Sequence, residues 1–95
     1  MEASKIATRK VKVRNTQGLH ARPATVIAKL LQGSKSQVSI TYKRETIDAR
    51  SIMNVLMLGI KKNMQLILSA EGEDAEETLD KIVAAFDNRF GEPAE

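Results

Sequence analysis

Cysteine and tryptophan are absent from this 95-residue chain, and histidine occurs once. Without thiols there is no disulfide framework and no thiolate metal site. A single histidine also argues against a histidine-built metal centre. The aromatic set is limited to Tyr42, Phe86 and Phe90. Two of these sit at core spacing in a helical stretch, which leaves no stacking platform for bases, so nucleic acid is not an expected partner. No run approaches the ~20 apolar residues of a membrane span. Met1-Glu2-Ala3-Ser4-Lys5 lacks the apolar centre of a signal peptide, so a soluble, cytoplasmic protein is expected. Acidic residues are missing from the whole stretch between Glu2 and Glu45.

What is present is unevenly divided. From Met1 to Lys62 there are 13 Lys/Arg against Glu2, Glu45 and Asp48, a balance of +10. From Asn63 onward Lys81 and Arg89 face nine acids, a balance of −7, and together these give the net +3. Two readings of the basic part stay open: a surface for an acidic protein partner, or a solvated face. The length fits one domain that buries roughly 60–65 % of its unfolded surface, with an ordered core over about residues 6–91.

Hydrophobic periodicity orders the chain. Val11 and Val13 alternate with Lys10, Lys12 and Arg14, which predicts a strand over 7–14. Val26, Ile27, Leu30 and Leu31 recur at helical spacing and predict a helix over 21–32, with Gly33 as its left-handed cap. Gln37 to Tyr42 alternates again, with Val38, Ile40 and Tyr42 on one face, and predicts a second strand. It returns through Lys43-Arg44 into a third over 45–49, without the Asn-Gly favoured in two-residue hairpins. Ser51 is placed to cap a short helix that stops at Gly59, and a fourth strand spans 64–71. Asp74 and Glu77 have capping-box spacing ahead of a helical stripe of Leu79, Ile82, Val83, Phe86 and Phe90. The ends, Met1–Ser4 and Glu92–Glu95, are expected to fray. The order β-α-β-β-α-β-α predicts an α+β fold in which one antiparallel sheet carries its helices on a single face.

The densest chemistry lies in Asn15-Thr16-Gln17-Gly18-Leu19-His20-Ala21-Arg22-Pro23-Ala24, where His20 sits at a strand-to-helix junction. An imidazole can be neutral and nucleophilic near pH 7. A helix amino terminus supplies free N–H groups and partial positive charge, a seat for a phosphate. Arg22 can add charge-assisted hydrogen bonds to the same oxygens. Pro23 presets helical φ where its missing N–H costs little. Gly18 lets the backbone approach closely or take positive φ. Each element is common when taken singly. A lone histidine is more often structural, and spacing alone does not make His20 reactive.

Gly18-Leu19-His20-Ala21-Arg22-Pro23-Ala24 closely resembles the phosphohistidine signature of the HPr family, phosphocarriers of the bacterial phosphoenolpyruvate:sugar phosphotransferase system. Arg50-Ser51-Ile52-Met53-Asn54-Val55-Leu56-Met57-Leu58-Gly59-Ile60 is similar to that family's regulatory-serine region, at the expected separation. The resemblance covers nearly the whole chain and implies the family's open-faced β-sandwich, a four-stranded antiparallel sheet with three helices on one face. It implies that His20 receives phosphate on Nδ1 from phosphorylated enzyme I and passes it to A-type domains of enzyme II during sugar uptake. The chain would then be a carrier rather than an enzyme, a monomer, without cofactor, metal or membrane insertion. Asn54 stands where glycine is frequent, Lys43-Arg44 replaces an Asn-Gly-type turn, and Gln17 replaces a short capping residue.

The same resemblance implies that Thr25, Met53 and Leu56 contact partners, with Met53 exposed, and that Ser51 is a target of an HPr kinase/phosphorylase. Ser51 also has the simpler reading of an N-cap, and both can hold together. An exposed His20 ringed by Arg22, Lys29 and Arg50 would attract acidic partners and raise encounter rate more than affinity. The lack of a nearby acid favours holding a phosphoryl group over hydrolysing it. Two alternatives remain: the carrier of the nitrogen-related phosphotransferase branch, and a binding module controlled through Ser51.

Overall fold

Alternating branched and polar residues build the sheet on which the rest of the molecule is laid. The computed structural model describes residues 5–92. Its strands are β1 (Ile6–Lys12), β2 (Gln37–Tyr42), β3 (Glu45–Asp48) and β4 (Gln65–Glu71). Its helices are α1 (Ala21–Leu31), α2 (Ile52–Met57) and α3 (Ala75–Asp87), and a 3-10 turn, Arg89–Gly91, follows α3. The strands form one antiparallel sheet in the order β1-β4-β2-β3. Register pairs Val11 with Leu66 and Ile40 with Leu68, which puts Ala7, Val11, Val38, Ile40, Leu66, Leu68 and Ala70 on one buried face. Ile27 and Leu31 of α1, Val55 of α2, and Leu79, Ile82 and Phe86 of α3 complete the core. The other face of the sheet, with Ile67 and the ends of Lys10 and Lys12, is exposed. This is the expected open-faced sandwich with three helices on one side.

Four local expectations need correction. Gly33 is not left-handed: the chain leaves α1 through Gln32 at φ −60, ψ −34. The terminal carbonyls are met instead by the Ser34 N–H, which donates to Leu31 O at 3.1 Å, and by the Arg50 guanidinium, which donates to the Leu31 and Ser34 carbonyls at 3.3 Å. The Lys43-Arg44 turn falls where it is expected, between the paired Tyr42 and Glu45, and closes with Lys43 at φ 56, a left-handed conformation taken by a non-glycine residue. Phe90 does not extend the α3 stripe. Arg89 and Phe90 both turn left-handed (φ 52 and 54), so the helix stops at Asp87 and Phe90 folds back edge-on to Phe86, with ring centroids 4.8 Å apart. Glu92, expected to fray, is packed. Met1–Ser4 and residues 93–95 lie outside the described residues.

The fourth correction concerns Asp74. It precedes α3, yet its carboxylate makes no cap bond to the helix. It accepts hydrogen bonds from Ser36 Oγ, from the Lys35 backbone N–H at 3.0 Å and from Ser34 Oγ at 3.3 Å, so it ties the α1–β2 connection to the start of α3. Those donors, Ser36 foremost, pull its pKa down to about 2. Because the folded pKa lies below the ordinary carboxylate value, the stabilisation is complete above pH ~4 and is lost as pH falls toward 2. Urea midpoints measured between pH 6 and 2 should therefore fall less steeply for Asp74→Asn than for the parent, from a lower starting midpoint at pH 6. Parallel curves would show that this carboxylate carries none of the acid sensitivity.

Candidate functional site

Three segments meet around His20, and each has a local reason to be there. Asn15 ends the approach from β1, where the Gly18 N–H donates to Asn15 O at 3.1 Å. Gly18 lies at φ 69, and a Cβ there would sit 2.3 Å from Ile60 O. The backbone after α2 therefore passes directly under the loop, and the Leu19 N–H donates to Ile60 O at 3.0 Å. His20 is the N-cap residue of α1, extended at φ −90, ψ −166, with no side-chain cap bond. Among the described residues the Ala21 and Arg22 N–H groups have no partner, and Pro23 has none to offer. The amino end of α1 is thus an open set of donors beside the ring.

The His20 side chain is 31 % exposed, so the ring is reachable from solvent. Its Nε2 lies 2.7 Å from Glu92 Oε2. An ionised carboxylate only accepts, so Nε2 is the donor and carries a proton. In the neutral ring this leaves the lone pair on Nδ1, which makes no hydrogen bond among the described residues. The other Glu92 oxygen, Oε1, accepts from Asn15 Nδ2 at 2.9 Å, and Asn15 Nδ2 also donates to Gly18 O at 2.5 Å. Asn15 is 1 % exposed, and its Oδ1 has no partner. Two acceptors thus fix the amide, and the amide fixes the carboxylate.

Sequence reasoning missed Glu92. It lies 72 positions from His20, and nothing in the residue types between them forecasts the meeting. The one local signal is Gly91-Glu92-Pro93: proline disfavours helical ψ in the residue before it, and Glu92 is extended at φ −80, ψ 146. The sequence around His20 holds no acid, and the fold brings this one in from the far end of the described chain. Both Glu92 oxygens are engaged, Oε2 at Nε2 of the ring and Oε1 at Asn15.

The ring of basic residues also needs correction. Arg22 stands exposed in the first turn of α1, with no partner among the described residues. Arg50 is instead pinned to the Leu31 and Ser34 carbonyls at the far end of α1. Lys29 lies in the last turn of that helix. Eleven residues make α1 ~16 Å long, so only Arg22 of the three is beside the histidine.

Ser51 caps α2, its Oγ accepting from the Asn54 N–H at 3.3 Å, and it is half-buried. Met53 and Leu56 are exposed on α2, as is Met57, the most exposed apolar side chain there at 75 %. The Thr25 hydroxyl donates to Ala21 O at 2.8 Å, one turn into α1. α2 packs against α1, so these residues occupy adjoining helices. No helix among the described residues is long and apolar enough to cross a membrane, and no acid or histidine cluster there could hold a metal ion.

Comparison with known proteins shows the family. The chain is similar to the phosphocarrier protein HPr of Chlamydia trachomatis, 38 % identical over 80 residues that cover 84 % of this chain and 73 % of that one. It is also similar to the multiphosphoryl transfer protein of Salmonella typhimurium, 40 % identical over 85 residues, 86 % of this chain but 23 % of the larger protein. Its backbone follows the crystal structure of HPr-C-His from Thermoanaerobacter tengcongensis, with TM-score 0.87 and 32 % identity over 92 % of this chain and 98 % of the other. The family model described as the PTS HPr component phosphorylation site matches residues 7–88, and the chain therefore belongs to the HPr family.

Proposed function

We propose that this protein is a cytoplasmic, monomeric phosphoryl carrier of the sugar phosphotransferase system, a single domain in which Nδ1 of His20 is the acceptor. Phosphorylated enzyme I supplies the group, and A-type domains of enzyme II receive it. The observation that carries the reading is the pairing at His20. One ring nitrogen is held as a donor by Glu92; the other has no partner among the described residues, and neither have the Ala21 and Arg22 N–H groups that follow His20 in the chain. A neutral ring with its lone pair on Nδ1 is ready to attack. The phosphoryl oxygens it acquires then face the helix amino terminus and the exposed Arg22 guanidinium. A carrier must hold the group without losing it to water, and among the described residues no carboxylate is hydrogen-bonded at Nδ1. Thr25, Met53 and Leu56, on adjoining helices, form the surface on which successive partners dock. Exposed methionine suits several such surfaces because its side chain adapts.

The test is incubation with phosphoenolpyruvate and enzyme I, read by mass spectrometry with position mapping. One acid-labile, base-stable phosphate on His20 is expected, and an unmodified chain refutes the reading. Pairing the assay with enzyme I of the sugar branch and of the nitrogen-related branch decides which branch the carrier serves, by whichever labels it faster.

Ser51 carries a regulatory reading, because its hydroxyl is half-buried at a helix start, where a phosphate is electrostatically favoured. With ATP and an HPr kinase, Ser51 alone should be marked, and the marked protein should take phosphate from enzyme I more slowly. A blank reaction removes the regulatory reading and leaves the carrier untouched.

A further inference from the structure

We propose that Glu92 is a positioning residue for His20, held in place by Asn15, and that it sets which ring nitrogen attacks. The inference rests on the carrier reading above and adds a residue beyond the stretch, 7–88, that matches the family model.

Three independent features build the contact. Glu92 is only 13 % exposed at the side chain, and both of its oxygens are engaged, Oε2 by His20 and Oε1 by Asn15. Asn15 is itself buried and doubly anchored, which gives the carboxylate a fixed seat rather than a passing surface contact. The segment that delivers Glu92 is conformationally committed, since Arg89 and Phe90 are both left-handed without being glycine. Such strain persists only where surroundings over-determine it, and it clusters at functional sites. Here the buried Phe90 ring against Phe86 and the Glu92 hydrogen bonds supply the determination.

The chemistry follows from the geometry. The Nδ1 lone pair forms the N–P bond while the bond from phosphorus to the donor breaks, its electron pair leaving with the donor. The ring keeps its proton on Nε2 and so becomes positive. Glu92 Oε2 accepts that Nε2–H throughout, excludes the opposite tautomer, and faces the charge as it develops. Histidines in metal sites are oriented by a partner on the second nitrogen in the same way, and losing such a partner typically costs about 10- to 100-fold.

The test uses the full chain and two variants, Glu92→Ala and Glu92→Gln. The glutamine is isosteric but presents one acceptor to two donors. Melting curves establish that each is folded. Nitrogen NMR of the imidazole should show the Nε2–H tautomer dominant in the parent and Nδ1–H appearing in both variants. Single-turnover labelling by enzyme I should slow about 10-fold or more in Glu92→Ala and less in Glu92→Gln. Folded variants with the parent's tautomer overturn the proposal, whatever their rates, because slowing alone would place Glu92 on a docking surface. If the parent itself takes no phosphate, the carrier reading falls, and the tautomer spectra still decide whether Glu92 sets the ring.

Discussion

Replacing His20 with alanine abolishes phosphate uptake from enzyme I while leaving a folded protein. The loss is complete because no other histidine exists in the chain to take the group. The fold survives because His20 contributes little to it. It caps α1 by backbone geometry alone, without a side-chain bond, and its ring is partly in solvent. The hydrogen bond lost with it, from Nε2–H to the Glu92 carboxylate, is one contact worth roughly 1.5–3 kcal/mol, less than the ~5–15 kcal/mol of a typical domain. Arg22→Ala gives a graded result in the same assay. Its exposed guanidinium has no hydrogen-bond or ion-pair partner among the described residues, so stability changes little. One charge-assisted bond to the phosphoryl oxygens is lost, which slows labelling about tenfold, or ~1.4 kcal/mol. Thermal melts beside phosphate mapping check both variants. A His20→Ala protein labelled as fully as the parent would place the acceptor elsewhere.

Gly18→Ala is the most damaging small substitution expected at the site. Two penalties coincide there. The residue is left-handed at φ 69, a conformation that costs a residue bearing a Cβ roughly 1–2 kcal/mol. The added methyl would also lie 2.3 Å from the Ile60 carbonyl oxygen and 2.8 Å from Lys61 Cα, both backbone atoms that cannot rotate aside. Relief requires the loop to lift from the segment after α2, at a further cost of about 1–3 kcal/mol, typical of overpacking. Lifting the loop breaks the Leu19 N–H bond to Ile60 O and shifts His20 relative to α1. A fall in unfolding free energy of about 2–5 kcal/mol is expected, with labelling by enzyme I reduced even where the protein remains folded. Urea titration and the phosphate assay measure the two parts. An alanine variant as stable as the parent would mean that the two backbones are not in contact.

Much of this molecule was legible beforehand where the information is local. β2 starts and ends at the predicted residues, and β4 and α1 agree to within one residue, because alternation and helical spacing report directly which side of an element is buried. Ser51 was legible as a cap for the same reason, since capping involves only the next turn. The misreadings share a different physics. Asp74 has the residue type and spacing of a helix cap, but Ser34 and Ser36 arrive from another connection and outcompete the helix for its oxygens. Gly33 looks like a left-handed terminus, but Arg50, distant in sequence, satisfies the last carbonyls and removes the need. Phe90 fits the α3 stripe, but two left-handed residues redirect it onto Phe86.

The acceptor site divides along the same line. His20, Arg22, Pro23 and the free amides behind them are consecutive, so the sequence by itself determined that a nucleophile and an anion seat coincide. The identity of the attacking nitrogen was not consecutive information. It depends on Glu92, brought across the molecule by the turn after α3 and aligned by Asn15, and so only the tertiary structure decided it. Hydrogen bonds between remote segments are specified by the packing of the core that joins them, and no window of sequence contains that packing.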